Sequence, residues 1–145
     1  ALHLDCCMQP VGNNFLVTCS ESFTYTYQYE WLVNLFGKNN VFDVSKKEMS
    51  RMMCNVFSIS ETVVVSDKSF KRLNEWMENK NIKVEKINFN DLEKLLEQSF
   101  SSRRKKIKNT LRKHIQSLTK LDIDENLRPE NLSVSNYCDL VKLIN

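Results

Sequence analysis

Apolar residues in the first 90 positions of the chain follow two kinds of spacing. Short apolar or alternating runs predict strands over residues 2–11, 15–19, 41–44, 55–60, 62–66 and 82–89. Apolar side chains three or four positions apart predict helices over residues 25–36 and about 69–79, and Gly37 is suited to the cap that ends the first helix. The order strand, strand, helix, strand is therefore complete for residues 55–89 and partly present for residues 2–44.

Turn and capping residues connect these elements. The Asn-Asn pair at 13–14 predicts a turn that makes the first two strands antiparallel. Ser45 and Glu48 are three positions apart, which is the pattern of a capping box at the start of a helical turn. Either Asp67 or Ser69 is expected to cap the second long helix.

The spacing of apolar residues changes after Asp91. One or two amphipathic helices are expected, because apolar side chains recur there at intervals of three, four or seven: Leu92, Leu95, Leu96, Phe100, Ile107, Leu111, Ile115 and Leu118. A last helix should begin near Leu132 with Ser133 or Ser135 as its cap, and its apolar stripe comprises Tyr137, Leu140, Val141 and Ile144. We therefore predict an α/β fold with strand-strand-helix-strand modules over 1–90 and a small all-α C-terminal subdomain over 91–145.

Composition narrows the function classes. With two glycines and two prolines, the chain contains neither a G-x-G-x-x-G motif nor a P-loop, so ordinary nucleotide-cradling turns are excluded. The five cysteines lack C-x-x-C spacing, and we expect neither a metal site nor a disulfide framework, nor any cofactor. Free thiols and the lack of a run of about 18 apolar residues favour a cytoplasmic protein without membrane contact.

The net charge of +3 is unevenly distributed. Residues 1–94 carry 11 basic and 12 acidic side chains, whereas residues 95–145 carry 10 basic and 6 acidic ones. The strongest concentration has seven basic side chains and no acidic one: Arg103, Arg104, Lys105, Lys106, Lys108, Arg112 and Lys113. A helix with this density would offer phosphate contacts on more than one face. A solvated basic surface and nuclear targeting remain open for a bare charge run.

His3 and Asp5 form the first candidate for chemistry. They are two positions apart on a predicted strand, so their side chains point to one face. A carboxylate in that position can bind a cationic substrate, while the histidine moves protons near neutral pH. An incidental pair stays open on this spacing alone.

The segment His3-Leu-Asp-Cys-Cys-Met-Gln-Pro-Val-Gly12, together with residues 55–60, 63–66 and 70–74, resembles the amidinotransferase superfamily, most of all its arginine deiminase and dimethylarginine dimethylaminohydrolase group. The resemblance covers residues 1–94 and implies a propeller of strand-strand-helix-strand modules. In such enzymes a Cys thiolate attacks the guanidinium carbon of a guanidino compound, and a His protonates the departing amine. The resemblance implies that His3 is this general acid/base and that Asp5 is a guanidinium ligand.

The nucleophile position departs from that family. The family's Cys-Ser-Thr segment follows the strand that matches residues 82–89, where this chain has Leu-Leu-Glu-Gln-Ser-Phe at 95–100. We also expect the early modules, which supply another catalytic carboxylate, to be absent. Without a thiolate, this chain alone is predicted not to hydrolyse arginine or methylarginines.

The last part of the chain resembles a second family. Residues 99–111, 121–124 and 128–140 are similar to the C-terminal end of the bacterial small-subunit rRNA adenine dimethyltransferases. The resemblance covers residues 90–145 and implies a helical subdomain that assists contact with ribosomal RNA, with phosphate contacts from Arg103, Arg104 and Lys105. The S-adenosylmethionine-binding domain of that family is missing, so methylation by this chain alone is not expected.

Three hypotheses follow from these resemblances. The chain is a hybrid or truncated product of two genes, or an enzyme fragment that pairs with another chain carrying the missing Cys, or a small RNA-binding protein. A propeller fragment leaves apolar surface and strand edges unpaired, so self-association through exposed edges is also expected.

Overall fold

The computed structural model describes residues 6–102 and 104–144. Small sheets and helices both occur in this part of the chain, which confirms the mixed α/β class. Residues 1–86 and 87–145 form two compact units. Within the described ranges, none of the helices has the length and apolar character needed to cross a membrane.

The first sheet has the strand order β1-β2-β3. Its elements are β1 (Met8–Val11), β2 (Phe15–Thr18), α1 (Thr26–Phe36) and β3 (Val41–Asp43). β1 and β2 are antiparallel, as predicted, and α1 connects β2 to the parallel strand β3. Gly37 ends α1 at φ 86°, and its N–H donates to the carbonyl of Val33. The strand-strand-helix-strand order, predicted only in part for this region, is therefore complete.

The second sheet repeats this order. Its elements are β4 (Phe57–Ser60), β5 (Val63–Asp67), α3 (Lys71–Asn79) and β6 (Lys83–Ile87), and the strand order is β4-β5-β6. The short helix α2 (Lys46–Met49) lies between the two modules in sequence. The predicted capping box is confirmed, because Ser45 Oγ accepts from the Glu48 N–H and Glu48 Oε2 accepts from the Ser45 N–H.

Several boundaries differ from the predictions, and local hydrogen bonds explain two of these differences. Phe70 occupies the N-cap of α3 without a side-chain bond, because the Asp67 carboxylate accepts instead from the Ser69 N–H at 2.8 Å. The predicted cap was therefore wrong. β6 ends before Phe89 because the side chain of Asn88 accepts from the Asp91 N–H and so starts the next helix.

The apolar faces of both sheets and of α3 form the core of residues 1–86. Most of its fully buried side chains come from β1, β2, β5 and α3, and include Val11, Leu16, Val17, Val64, Val65, Leu73 and Met77. Gly12 lets the end of β1 approach the turn after β4. It adopts φ 58°, and a Cβ there would lie 3.0 Å from the carbonyl oxygen of Glu61. The Gly12 N–H also donates to Ser58 Oγ at 2.9 Å.

Residues 87–145 contain the helices α4 (Phe89–Phe100), α5 (Ile107–Thr110), α6 (Ile115–Lys120) and α7 (Val134–Ile144). Their buried side chains include Leu95, Ile107, Leu111, Leu118, Ile123, Tyr137, Leu140 and Val141. Ser133 caps α7, as predicted, because its Oγ accepts from the Asn136 N–H. Phe100 and Ile144 were predicted on buried stripes, but they are 52% and 36% exposed. Phe100 lies at the end of α4 and stacks on the ring of Tyr137 instead of entering the core.

Candidate functional site

The basic run at residues 103–113 does not form one helix in its described part, so the predicted basic helix was wrong. Arg104 adopts the left-handed conformation at φ 67°, and Lys106 is extended with ψ 150°. Neither conformation can continue a right-handed helix. The run continues as the single turn of α5 and then as a 3-10 turn over Arg112–His114.

Burial of two apolar residues positions this run. Ile107 and Leu111 have no exposed surface, so the backbone between them lies against the core of its unit. The Ile107 N–H donates to the Leu127 carbonyl at 2.8 Å, and the Lys108 N–H donates to the Glu125 carbonyl at 3.0 Å. These bonds satisfy the first backbone donors of α5 and tie the run to the loop at residues 125–127.

Two lysines of the run converge on one neutral oxygen. Asn126 Oδ1 accepts from Lys106 Nζ at 3.4 Å and from Lys108 Nζ at 2.9 Å. Asp124 holds this asparagine, because its Oδ1 accepts from the Asn126 backbone N–H at 2.8 Å and from Nδ2 at 3.1 Å. We call Lys106, Lys108 and Asn126 the lysine–asparagine cluster. It gathers two positive charges around a group that cannot neutralise them.

This surface carries net positive charge, and the carboxylate of Asp124 offsets part of it locally. Hydrogen bonds from the backbone and side-chain amides of Asn126 hold the pKa of Asp124 below its ordinary value, and the two lysines act in the same direction. Asp124 is therefore ionised at neutral pH. Among the described residues, no carboxylate oxygen lies within 4.0 Å of any cation of the basic run. These cations are Arg104, Lys105, Lys106, Lys108, Arg112 and Lys113.

Most of the candidate residues predicted from the basic run are accessible. Lys108 is half-buried, and the exposed ones are Arg104, Lys105, Lys106, Arg112 and Lys113. His3, Asp5 and Arg103 lie outside the described residues. Sequence reasoning missed Asn126 and Asp124, because they are 16 to 20 positions from the lysines and only the folded loop brings them together.

The cysteines bear on the guanidino chemistry. All five are free thiols; Cys19, Cys54 and Cys138 are buried, and Cys6 and Cys7 are half-buried. Burial, together with the neighbouring thiols, raises the pKa of Cys54 to about 12, so it carries a neutral thiol at physiological pH. The residues that follow β6 form α4 and include no Cys. Across the described ranges, no group of three or more His, Cys, Asp and Glu side chains could hold a metal ion.

Comparisons with known sequences support the likeness to methyltransferases. A segment of 63 residues is 43% identical to the ribosomal RNA small subunit methyltransferase A of Ehrlichia chaffeensis, covering 41% of this chain and 24% of that protein. The same enzyme of Tolumonas auensis is 40% identical over 58 residues, 39% of this chain and 22% of the relative. The chain thus spans about a quarter of the length of these relatives.

Two solved structures are similar in fold to part of this chain. Unliganded AgrE superposes on 61% of this chain and 13% of its own length, with a TM-score of 0.53 and 17% identity. The N-terminal domain of ArgZ, an arginine dihydrolase from cyanobacteria, gives the same TM-score and identity over 61% of this chain and 32% of that domain. At this identity, the likeness shows the fold alone.

The first part of the chain also matches a family profile. The profile described as N,N dimethylarginine dimethylhydrolase, eukaryotic, matches residues 1–97 of the 145. Both resemblances noticed in the sequence, to the amidinotransferases and to the rRNA methyltransferases, are therefore confirmed. On the match over residues 1–97, this chain belongs to the eukaryotic N,N dimethylarginine dimethylhydrolase family.

Proposed function

We propose that this chain is a hybrid that binds ribosomal RNA through its basic run and has no hydrolase activity of its own. In this proposal, residues 1–90 are two modules of an amidinotransferase-like propeller, and residues 91–145 are a helical subdomain of the rRNA methyltransferase type. The observation that carries RNA binding is the group of accessible cations in residues 104–113 that no described carboxylate neutralises within 4.0 Å.

The loss of hydrolase activity rests on the cysteines. Guanidino hydrolysis of this type needs a thiolate that attacks the guanidinium carbon. Cys54 is buried and its pKa is raised to about 12, and Cys19 is also buried. The sequence between Cys54 and Cys138 contains no cysteine, so α4 cannot supply the nucleophile. His3 and Asp5 would then remain as a binding pair for a guanidino group without a reaction partner.

The name of the chain's relatives indicates ribosomal RNA as the polyanion that the basic run binds. The proteins similar to the methyltransferase-like segment are 39–43% identical to it, and their name states that they act on the RNA of the small ribosomal subunit. The basic run lies within residues 90–145, the part of the chain whose sequence resembles these methyltransferases. Because these relatives are about four times longer than the matched share, their methyl transfer is not proposed for this chain.

The lysine–asparagine cluster supplies the most definite contact. Lys106 and Lys108 share one acceptor that bears no charge, so a phosphate oxygen that replaces it gains two charge-assisted hydrogen bonds. The ionised carboxylate of Asp124 opposes this gain. Arg104, Lys105, Arg112 and Lys113 add contacts to neighbouring phosphates, without base recognition.

The experiment is the affinity of the full chain for a fluorescently labelled fragment of small-subunit rRNA, measured by anisotropy. Removing two phosphate contacts with Lys106→Ala and Lys108→Ala should weaken binding about 25-fold at about 0.1 M salt, if each contact releases about 0.7 counterions. The matched control is Lys46→Ala with Lys47→Ala, which removes two exposed lysines from α2. This control removes the same number of positive charges outside the proposed site, and it should bind within about twofold of the unchanged chain.

The variant Asp124→Asn gives a second test, because it should change the affinity for the RNA in the opposite direction. Asp124→Asn removes the opposing charge but keeps an oxygen that can accept from the Asn126 amides. We expect this variant to bind the RNA more tightly. Equal losses in both double-lysine variants, or no effect of Asp124→Asn, would contradict a site at the lysine–asparagine cluster.

A further inference from the structure

Among the described residues of the first unit, the most exposed apolar side chains lie on α1 and just before it. Tyr25, Tyr27, Trp31 and Leu35 are 57%, 64%, 62% and 59% exposed. Tyr27, Trp31 and Leu35 are spaced by four residues, so they form one ridge along the helix. Tyr25 stacks on Tyr27 with 5.6 Å between the ring centroids, which extends the ridge at its N-terminal end. We call these four residues the α1 ridge.

An apolar depression lies beside the ridge. Its volume is about 360 Å³, and it is lined by Met8, Phe23, Tyr27, Gln28, Trp31 and Leu32. Leu35 is one turn beyond Trp31 and projects from the same face as a single large side chain. The same surface therefore carries a protruding side chain, Leu35, and a depression. About six residues separate the two along the helix, which at 1.5 Å per residue is about 9 Å.

This arrangement is self-complementary. In a two-fold symmetric contact between antiparallel copies of one helix, residue i of one copy meets residue j of the other, and the sum i + j is the same for every pair. If the axis passes through Trp31, Leu35 of each copy meets Tyr27 of the other. Each Leu35 then enters the depression of the opposite copy, and the two Trp31 rings meet at the axis.

The area of the ridge is sufficient for a weak dimer. At these exposed fractions, three aromatic side chains and one leucine present about 500 Å² per copy. Two copies would bury about 1,000 Å², the threshold for a specific interface and the low end of the observed range. The contact would have to desolvate few charges, since Glu30 is the single charged residue of α1. We infer that the α1 ridge is the contact surface of a homodimer of this chain.

The test is sedimentation velocity of the full chain over a concentration series up to about 100 µM, where a weak interface of this size should be occupied. The unchanged chain should show a concentration-dependent dimer. Leu35→Glu places a charge in the depression and should raise the dissociation constant at least about 30-fold, the loss typical of a central interface residue. The matched control is Phe100→Glu on α4, a side chain of similar exposure that lies off the ridge.

Two further results decide the inference. Tyr27→Ser should also weaken the dimer, and its effect should be non-additive with Leu35→Glu, because the proposed geometry brings these two residues together. Circular dichroism of each variant checks that α1 still forms. A chain that stays monomeric at the highest concentration overturns the inference. A dimer that survives Leu35→Glu also overturns it, since association through the strand edges would give that result. A dimer that Phe100→Glu weakens as much as Leu35→Glu does would overturn it as well.

Discussion

Glu48 is predicted to stabilise the first unit because its carboxylate holds Arg72, whose guanidinium also contacts β3. Its Oε2 accepts from Arg72 Nη2 at 2.6 Å, and its Oε1 accepts from Arg72 Nε at 3.1 Å. The same guanidinium donates to the Asp43 carbonyl at 3.1 Å and lies 4.3 Å from the centroid of the Phe42 ring. Arg72 on α3 is thus fixed against β3 and α2 in a bidentate pair, a geometry that loses less side-chain entropy per hydrogen bond than a single contact does.

The pKa of Glu48 gives the magnitude. The hydrogen bonds from Arg72, opposed by some burial and assisted by Ser45, lower this pKa from 4.5 to about 2. The change from 4.5 to about 2 corresponds to about 3 kcal/mol. The Arg72 side chain is 54% exposed, so solvent screening reduces this figure. We expect Glu48→Gln to cost about 1–2 kcal/mol of unfolding free energy at neutral pH.

The pH dependence follows from the direction of the shift. Because the folded pKa is depressed, the contribution is fully present above the unfolded value of about 4.5 and is lost as the pH falls towards about 2. Urea unfolding followed by tryptophan fluorescence, at pH 7 and at about pH 3, measures both chains. The difference between the unchanged chain and Glu48→Gln should fall to less than half at the lower pH.

Glu75→Gln is the control, because it makes the same isosteric change at an exposed carboxylate on α3. It should change the free energy of unfolding by less than about 0.5 kcal/mol. A Glu48→Gln difference that is equal at both pH values, or one as small as the control's, would refute the reasoning.

Three further results are expected. Tyr137→Phe should cost about 1 kcal/mol in chemical denaturation, because its buried hydroxyl donates to the Pro129 carbonyl at 2.9 Å and the change leaves that oxygen without this donor. Gly37→Ala should cost about 1–3 kcal/mol in the same assay, since φ 86° with ψ 136° is a conformation that side chains oppose. With arginine or methylarginines as substrate, the chain should form no more citrulline than its His3→Ala variant, and any excess would show that another thiol acts as nucleophile.

Elements with strong local signals could be predicted from the sequence. The helix ending at Gly37 and the capping box of Ser45 and Glu48 were confirmed because both depend on residues within one or two turns. Leu73 and Met77 are buried on the predicted stripe of α3. In each case the neighbouring residues and the tertiary packing favour the same conformation.

The basic run shows where sequence reasoning stops. Its charge density indicates a helix with several basic faces, but the burial of Ile107 and the bond from its N–H to the Leu127 carbonyl determine the backbone. These are contacts over about 20 positions, which periodicity does not report. For the same reason, the pairing of Lys106 and Lys108 at Asn126 had no signal in the sequence.

The most direct test of RNA binding by the basic run is the salt dependence of the affinity. The logarithm of the association constant for the rRNA fragment should fall linearly with the logarithm of the salt concentration. The slope should be smaller by about 1.4 when Lys106 and Lys108 are both replaced by alanine, and unchanged when Lys46 and Lys47 are replaced. A slope near zero for the unchanged chain, or one that the first replacement does not alter, would contradict RNA binding through the lysine–asparagine cluster.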